Sequence, residues 1–238
     1  ELPADRPRPK VASMAGAEVG FEIDSATADL VRNLATERGV TEFMVIHAAL
    51  AVLLSRLSAT DDIAIGTPIA GRGRPELDPM IGMFVNTLVL RTEVDAAASF
   101  DELLSVVRER DLAAFGHADV PFERLVEVLN PARSTARHPL FQVALVFAAP
   151  PAAGAELPGL HAEAVEFDTG IAKFDLQVSV SERFTADGAP DGRWRPTNGR
   201  AVSPRAAGAR CPCRPAPGHA SGRRCGPDRA APTPASPG

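Results

Sequence analysis

The sequence predicts an α/β domain followed by a disordered tail. Capped amphipathic segments alternate with short apolar, strand-like segments from about residue 21 to residue 181, which is typical of an α/β fold. The composition changes near residue 193: residues 1–192 hold 16 basic and 29 acidic side chains, whereas the last 46 residues hold nine arginines and one aspartate. That last stretch has nine prolines and no Leu, Ile, Phe or Met, so it cannot bury enough apolar surface to offset the entropy of ordering.

An extended segment and two helices are predicted for the first part of the domain. Three prolines between Leu2 and Pro9 favour extended backbone. Asp24 is a suitable helix N-cap, and Gly39 ends the helix that begins there. Thr41 can cap the next helix, Glu42 to Leu57. This helix is apolar almost all round, so we expect it at the centre of the domain.

Five strands are expected after these helices. Asp62–Ile69 is a strand that Pro68 ends or bends, residues 70–80 form a loop, and Phe84–Val94 is the next strand. The remaining strands are predicted at about 140–148, 160–167 and 172–181.

Two more helices lie between these strands. Ser99 and Glu102 form a capping box. The helix behind it has a predicted apolar stripe of Leu103, Leu104, Val107 and Leu112. Pro121 fits the first turn of a short helix that ends at Leu129.

Four phrases in the domain carry a resemblance to a known family. In chain order they are Ile65-Gly-Thr-Pro-Ile-Ala-Gly-Arg72, Ile81-Gly-Met-Phe-Val-Asn-Thr87, His117-Ala-Asp-Val-Pro-Phe-Glu123 and His138-Pro-Leu-Phe-Gln-Val143. Together they resemble the condensation domains of nonribosomal peptide synthetases, which join two carrier-tethered aminoacyl groups by an amide bond. The resemblance covers about residues 1–186 and corresponds to the second of the family's two lobes.

The resemblance implies an architecture and a division of the chain. The expected architecture is the C-terminal half of a chloramphenicol-acetyltransferase-like pair of α/β sandwiches, with a mixed sheet and helices on one side. Residues 1–15 correspond to a strap between the lobes, residues 16–186 to the lobe, and residues 187–238 to the Arg/Pro/Ala/Gly-rich tail. From Arg193 onward the sequence reads like GC-rich coding sequence in a wrong frame, so we hypothesise a frameshift. A missing continuation would leave the strand near Leu176–Val180 with an unpaired edge.

The family's catalytic signature, His-His-x-x-x-Asp-Gly, belongs to the first lobe, and no His-His pair occurs in this sequence. The resemblance therefore implies that this chain supplies no catalytic base. His117 is the candidate base within the chain, because histidine is the usual general base near neutral pH. It stands just before a helix start with Asp119 two residues on, where these side chains are expected to bond free backbone N–H groups. A base also needs a positioned partner, and none is evident.

The other histidines of the domain have structural interpretations. His47 lies on a mostly apolar helix and is expected to be a hydrogen-bonded core histidine rather than a catalyst. His138 precedes Pro139 in a turn that enters a strand, and His161 follows a loop; neither suggests chemistry.

The resemblance assigns support of the lobe interface to Arg72 and Asn86. In the family the arginine pairs with the aspartate of the missing signature, a contact that suits a planar guanidinium; the alternative is a solvated loop arginine. Asn86 is polar within an apolar run, so it either satisfies backbone groups at the interface or lies on an exposed strand face. Lys173 either leads into a strand that faces the cleft or is a surface charge. Structural roles fall to the other motif residues, Gly66, Pro68, Gly82, His117, Asp119, Pro121, Phe122, Glu123, Pro139 and Phe141.

The resemblance also implies the partners. Substrates would arrive on the phosphopantetheine arms of peptidyl carrier protein domains, with no cofactor bound covalently to this chain. The N-terminal condensation lobe and adjacent synthetase domains would be the other partners. The acidic balance of the domain argues against nucleic acid. No signal peptide is visible and the longest apolar run, Phe43–Leu54, is too short for a bilayer, so a cytoplasmic location without a membrane partner is expected. A zinc site is not expected from the spacing of Cys211, Cys213, Cys225 and His219.

The expected function is therefore that of a condensation-domain fragment that is inactive alone. Two alternatives stay open: a noncatalytic carrier-docking or epimerisation-type relative, and a self-sufficient acyltransferase that uses His117.

Overall fold

The computed structural model describes residues 2–4, 7–148, 169–184, 190–195 and 200–201. The helices of this part are α1 (Ser25–Arg38), α2 (Glu42–Ser58), α3 (Phe100–Phe115) and α4 (Phe122–Leu129), with a short 3-10 helix at Pro75–Leu77. The strands are β1 (Ala17–Glu18), β2 (Asp62–Ile69), β3 (Asn86–Glu93), β4 (Val143–Ala148), β5 (Leu176–Phe184), β6 (Pro190–Arg195) and β7 (Arg200–Ala201). They belong to a compact unit, Glu1–Ala207; a second unit, Gly208–Gly238, lies outside the described residues.

Side-chain caps fix the starts of the three long helices where the sequence predicts them. Asp24 accepts a hydrogen bond from the backbone N–H of Thr27 at 2.7 Å, and Gly39 ends α1 in the left-handed conformation. The hydroxyl of Thr41 caps α2 in the same way. The capping box of Ser99 and Glu102 is present at the start of α3, with both reciprocal hydrogen bonds formed.

The strands form one mixed sheet, in the order β1-β7-β5-β4-β2-β3, with β6 beside β5. Strand β2 is antiparallel to β3 and parallel to β4, and β4 is parallel to β5. Residues Ile63 and Ile65 of β2 and Val143 and Leu145 of β4 are buried in one core with α2 and α3. The predicted fold class, a mixed sheet covered by helices, is confirmed.

One stripe residue of α3 differs from the prediction. Leu112 is half exposed, whereas its neighbour Asp111 is fully buried. Positions 104, 107 and 111 follow the helical repeat of three and four residues, so Asp111 lies on the inward face of the helix and Leu112 lies towards solvent.

Two strand boundaries also differ. Strand β3 begins at Asn86 rather than Phe84, because the five residues before it run over the surface without pairing. Strand β5 begins at Leu176 rather than at residue 172. The strand predicted at about 160–167 lies outside the described residues.

The expectation that β5 keeps an unpaired edge is wrong. Strands β6 and β7 pair with it in antiparallel fashion, with Ser181 opposite Arg195 and Leu176 opposite Ala201. Residues 190–195 and 200–201 therefore form strands, although the sequence predicts a disordered tail over residues 187–238. Backbone pairing needs no apolar side chain, and one aromatic residue, Trp194, supplies a large buried surface. The rest of the predicted tail is outside the described part of the chain.

In the described ranges, no single helix has the length and apolar composition needed to cross a membrane. Helices α1 and α2 meet that criterion only as a pair, which is bent by 106°.

Candidate functional site

Asn86 joins the second phrase of the sequence to the third. Its side-chain Nδ2 donates hydrogen bonds to the carbonyl oxygens of Ala118 (2.9 Å) and Val120 (2.8 Å). Its Oδ1 accepts from the backbone N–H of Phe122 at 3.1 Å and from that of Thr87 at 2.9 Å. The asparagine thus satisfies one free N–H at the start of α4 and two carbonyls of the turn before it.

His117 and Asp119 do not take the capping role that the sequence suggests. Both side chains are exposed, and among the described residues neither forms a hydrogen bond to the start of α4, where Asn86 binds instead. The turn is held by its own backbone, with Val120 N donating to His117 O at 3.1 Å. Within the same ranges no carboxylate is paired with His117, so nothing orients its ring as a general base requires.

The last phrase packs on the start of α4 and on β2 through a cluster of rings. Phe141 is buried beneath Gly66, where an added Cβ would stand 2.1 Å from the Phe141 ring, so only glycine fits there. The His138 ring lies 4.0 Å from that of Phe141 and 5.2 Å from that of Phe122, centre to centre. Phe174, just before β5, completes the cluster at 5.2 Å from Phe141. We call Gly66, Phe122, His138, Phe141 and Phe174 the motif core.

Burial of His138 in the motif core lowers the pKa of its imidazole below the ordinary value, and a hydrogen bond with the backbone of Phe141 opposes this shift. The charged form is penalised because partial burial removes some of the water around the ring. His138 is therefore expected to be neutral at pH 7, and its role is to pack.

Arg72 is held in place by its own loop. Its guanidinium lies 4.4 Å from the centre of the Phe84 ring, and its Nη1 donates to the carbonyl oxygens of Leu77 and Asp78. Gly71 has φ of 65°, and an added Cβ there would overlap the Phe84 carbonyl oxygen. In the described part of the chain no carboxylate forms an ion pair with Arg72.

The residues around this arginine expose an apolar surface. Ile81 is fully exposed and Met83 almost fully, which is unusual for large apolar side chains. Val85 is also exposed, and Val120 lies beyond Asn86 on the adjoining turn. We call the exposed apolar residues of this region the motif surface; they are Met80, Ile81, Met83, Val85 and Val120.

The remaining motif residues have local roles. Pro68 lies in β2 beyond its pairing with β4, so its missing N–H costs no bond there. Gly82 leaves room for the Phe84 ring, 2.9 Å from an added Cβ. Glu123 is an exposed acid in the first turn of α4, where negative charge is favoured. Pro139 and Lys173 are exposed.

Sequence reasoning missed two charged partners. Asp111 pairs with His47 in the core, with neither side chain exposed and 3.1 Å between His47 Nδ1 and Asp111 Oδ2. The helical repeat of α3 was the available signal for its burial. Asp175 forms an ion pair with Arg8, and no local pattern in the sequence indicates this.

A comparison with known protein families shows to which family the chain belongs. The model of the condensation domain matches residues 1–188, which is most of the sequence. The chain belongs to the condensation-domain family.

Large synthetases and solved structures agree with this membership. The condensation-family chain is 48% identical over 192 residues to a dimodular nonribosomal peptide synthase of Bacillus subtilis, covering 81% of this chain and 8% of that protein. It is 46% identical over 191 residues to an isonitrile lipopeptide synthase of Mycobacterium tuberculosis, covering 80% of this chain and 8% of that protein. The chain thus spans a small part of the curated relatives that it matches.

Among solved structures, the X-domain from teicoplanin biosynthesis matches with a TM-score of 0.76 and 30% identity. The match covers 84% of this chain and 45% of the X-domain. The condensation domain of the monacolin K polyketide synthase shares the fold, with a TM-score of 0.65 at 22% identity. The family, and a match to less than half of the X-domain, agree with the fold that the four phrases imply.

Proposed function

We propose that this chain is the second lobe of a condensation domain and forms one wall of a cleft in which a first lobe supplies the catalytic base. The observation that carries the proposal is the motif surface, which exposes large apolar side chains beside the loop of Arg72. A group of exposed apolar side chains close together in this way marks a surface for contact with a partner. The family match supports a condensation-type first lobe as that partner.

In this proposal the catalytic base lies on the first lobe and not on this chain. His117 is exposed and has no carboxylate partner in the described ranges, while His47 is fully buried and cannot reach a substrate. Catalysis by the assembled domain would rest largely on holding an amine and a thioester in attack geometry, an effect worth up to ~7–11 kcal/mol. This lobe would contribute to that geometry.

Arg72 is the residue proposed to reach across the interface. Its Nη1 donates to loop carbonyls and its guanidinium lies over the Phe84 ring, so the guanidinium is already positioned before a partner arrives. An ordered guanidinium loses less entropy when it binds a carboxylate. The proposed acceptor is the aspartate of the His-His-x-x-x-Asp-Gly signature on the first lobe.

The partners follow from the same proposal. Aminoacyl or peptidyl groups would be delivered by phosphopantetheine arms of peptidyl carrier protein domains. The amine of the acceptor group would attack the thioester carbonyl of the donor group, so that the amide bond forms as the C–S bond breaks and the thiol of the donor arm leaves. We propose that the protein acts in the cytoplasm, where such synthetase modules would meet their carriers.

Complementation tests the proposal directly. The chain is mixed with the first lobe of the Bacillus subtilis dimodular synthase, made as a separate polypeptide, and with aminoacyl-loaded donor and acceptor carriers. Dipeptide is expected only when both lobes are present. Dipeptide from this chain alone that disappears in His117→Ala would contradict the proposal and favour the self-sufficient acyltransferase.

A pair of surface variants locates the interface. Ile81→Asp is expected to weaken lobe binding at least about tenfold, because covering an apolar side chain of this size is worth about 1.5–3 kcal/mol. Leu30→Asp changes an equally apolar, exposed residue on α1 and is expected to bind like the unaltered chain. Equal loss in both variants would mean that the motif surface is not the interface.

One observation favours a second function, that of a noncatalytic docking module. The X-domain from teicoplanin biosynthesis has also been solved as a complex with OxyB, and this chain matches that form with a TM-score of 0.73 and 31% identity. A docking module would retain a phosphopantetheinylated carrier or an enzyme partner without forming dipeptide under any lobe combination. A pull-down with loaded carriers separates this function from an inert fragment.

A further inference from the structure

The segment that precedes β1 lies along the two loops that lead into β4 and β5. The resemblance assigns residues 1–15 to the strap between the lobes; from here on, the strap denotes residues 7–16, whose contacts the structure describes. Its hydrogen bonds to these loops are Ala12 N to Thr135 O (3.0 Å), Thr135 Oγ1 to Lys10 O (2.8 Å), Gly16 N to Gly170 O (2.8 Å) and Ala172 N to Met14 O (2.8 Å). The strap therefore touches the entrances of two central strands that are far apart from it in sequence.

Arg8 adds a side-chain bond to this backbone contact. Its guanidinium forms a two-pronged ion pair with the Asp175 carboxylate, with 2.9 Å between Nη1 and Oδ1, and the second prong joins Nη2 to Oδ2. Nη1 also donates to the carbonyl oxygen of Ala136 at 3.1 Å. The side chains are only 26% and 17% exposed, so the pair is better shielded from water than an ordinary surface ion pair. Prolines on both sides of Arg8 favour an extended backbone there.

The ion pair adjoins the motif core. Asp175 N donates to Gln142 O at 2.9 Å, which ties the start of β5 to the residue after Phe141. Phe174, the residue before Asp175, packs on Phe141. The position of the strap is thereby coupled through two adjacent residues to the rings that support α4 and, through Asn86, the motif surface.

We propose that Arg8 and Asp175 are a positioning pair that clamps the strap and so sets where the preceding lobe stands relative to the motif surface. This role rests on the proposed function, in which a first lobe packs on that surface. Without the clamp the backbone bonds of the strap, including Ala12 N to Thr135 O, open more often, and the chain before Arg8 is held to the domain by the packing of Leu2 on the core. The distance across the cleft then varies, and productive lobe contact becomes rarer.

Hydrogen exchange on the full chain tests the clamp. Arg8→Ala is expected to speed exchange of the Ala12 amide about tenfold, since a charge-assisted pair contributes on the order of 1.5–3 kcal/mol in shielded sites. The amides of α3 are expected to exchange as before, because the change is local. Arg8→Lys keeps the charge but loses the fork, so it is expected to restore protection only in part. The double change Arg8→Asp with Asp175→Arg is expected to recover most of it.

A matched control is available in Arg38, which forms the same two-pronged pair with Asp101 between α1 and α3. Arg38→Ala is expected to leave Ala12 exchange unchanged. Unchanged Ala12 exchange in Arg8→Ala would overturn the clamp, and so would equally faster exchange throughout the chain.

Dipeptide formation by a joined form, with the first lobe fused ahead of residue 1, tests the positioning role, because the strap can place only a lobe that is attached to it. Arg8→Ala is expected to lower the rate of the joined form several-fold and the charge-swapped double variant to recover it; equal rates for all forms would overturn the role. If the unaltered chain does not bind the first lobe, the proposed function and the positioning role both fail. The exchange experiment would still decide whether the clamp exists.

Discussion

Replacement of Trp194 by alanine is expected to destabilise the domain strongly, although the sequence places this residue in a tail that should not fold. Trp194 is 1% exposed and packs with Ala28 of α1 and Val180 of β5. Its ring stands edge-on to Phe147 at 6.0 Å, and the Arg32 guanidinium lies 5.5 Å above it. The indole therefore fills the space between α1 and the sheet.

The magnitude follows from that burial. A buried Trp→Ala change costs about 3–5 kcal/mol, because transfer free energy is lost and a cavity remains. A typical domain has a free energy of unfolding of about 5–15 kcal/mol, so the change would remove from about a fifth of the stability to nearly all of it. With a urea m-value of about 2 kcal/mol/M, the unfolding midpoint is expected to fall by about 2 M.

The assay has an internal reporter, because Trp194 is the chain's one tryptophan and the chain has no tyrosine. Native emission is expected to be blue-shifted and protected from acrylamide, and both properties should be lost in urea. The alanine variant is followed by far-UV circular dichroism, with Trp194→Phe as the conservative control and a chain ended at Ala207 as the control for length. Emission typical of a solvated indole, or an unchanged midpoint in Trp194→Ala, would refute the assignment of β6 to the fold.

Three further changes probe the motif residues. Asn86→Ala leaves three backbone groups around the start of α4 without a partner, so we expect the free energy of unfolding, measured in urea, to fall by about 1–3 kcal/mol. A decrease of less than about 0.5 kcal/mol would contradict the bridging role of Asn86. Gly66→Ala forces an added methyl against the Phe141 ring, so a lower melting temperature is expected by calorimetry, whereas Gly20→Ala has open space and should be near neutral. Because burial lowers the pKa of His138, the unfolded state binds more protons, and stability is full above pH about 6.5 and falls as the pH drops below it. His138→Phe should weaken this dependence between pH 7 and 5, and an identical pH profile would contradict a neutral His138.

The sequence predicts the elements whose signals are local. Asp24, Thr41 and Ser99 mark helix starts because their caps depend on residues two or three positions away. The fold class follows as well, since the four phrases identify a family whose sheet and helices are then inferred together. These predictions need no knowledge of how distant segments meet.

Features that depend on distant partners are not predictable in this way. The capping of α4 by Asn86 joins residues 36 positions apart, so the local pattern favours His117 and Asp119 although they do not bind there. The pair of Arg8 and Asp175 spans 167 positions and leaves no periodic signal. The composition of the last 46 residues predicts disorder for a related reason. It averages over the whole stretch and therefore does not register one tryptophan, Trp194, that is buried in the core.

The burial of Trp194 also moves the expected site of the frameshift. Strand pairing through β7 uses backbone groups, so Arg200 and Ala201 would pair with β5 whatever their side chains were. Burial of an indole between α1 and β5 is specific to that side chain, and a residue from a wrong frame has little chance of fitting there. We therefore expect the frame that encodes the domain to continue at least through codon 194 and any change of frame to follow it. Resequencing the locus and translating the other frames from codon 195 should reveal an apolar, strand-like continuation of the family. A continuation that instead joins the family before codon 192 would make Trp194 a product of the wrong frame, and its place in the core would then be accidental.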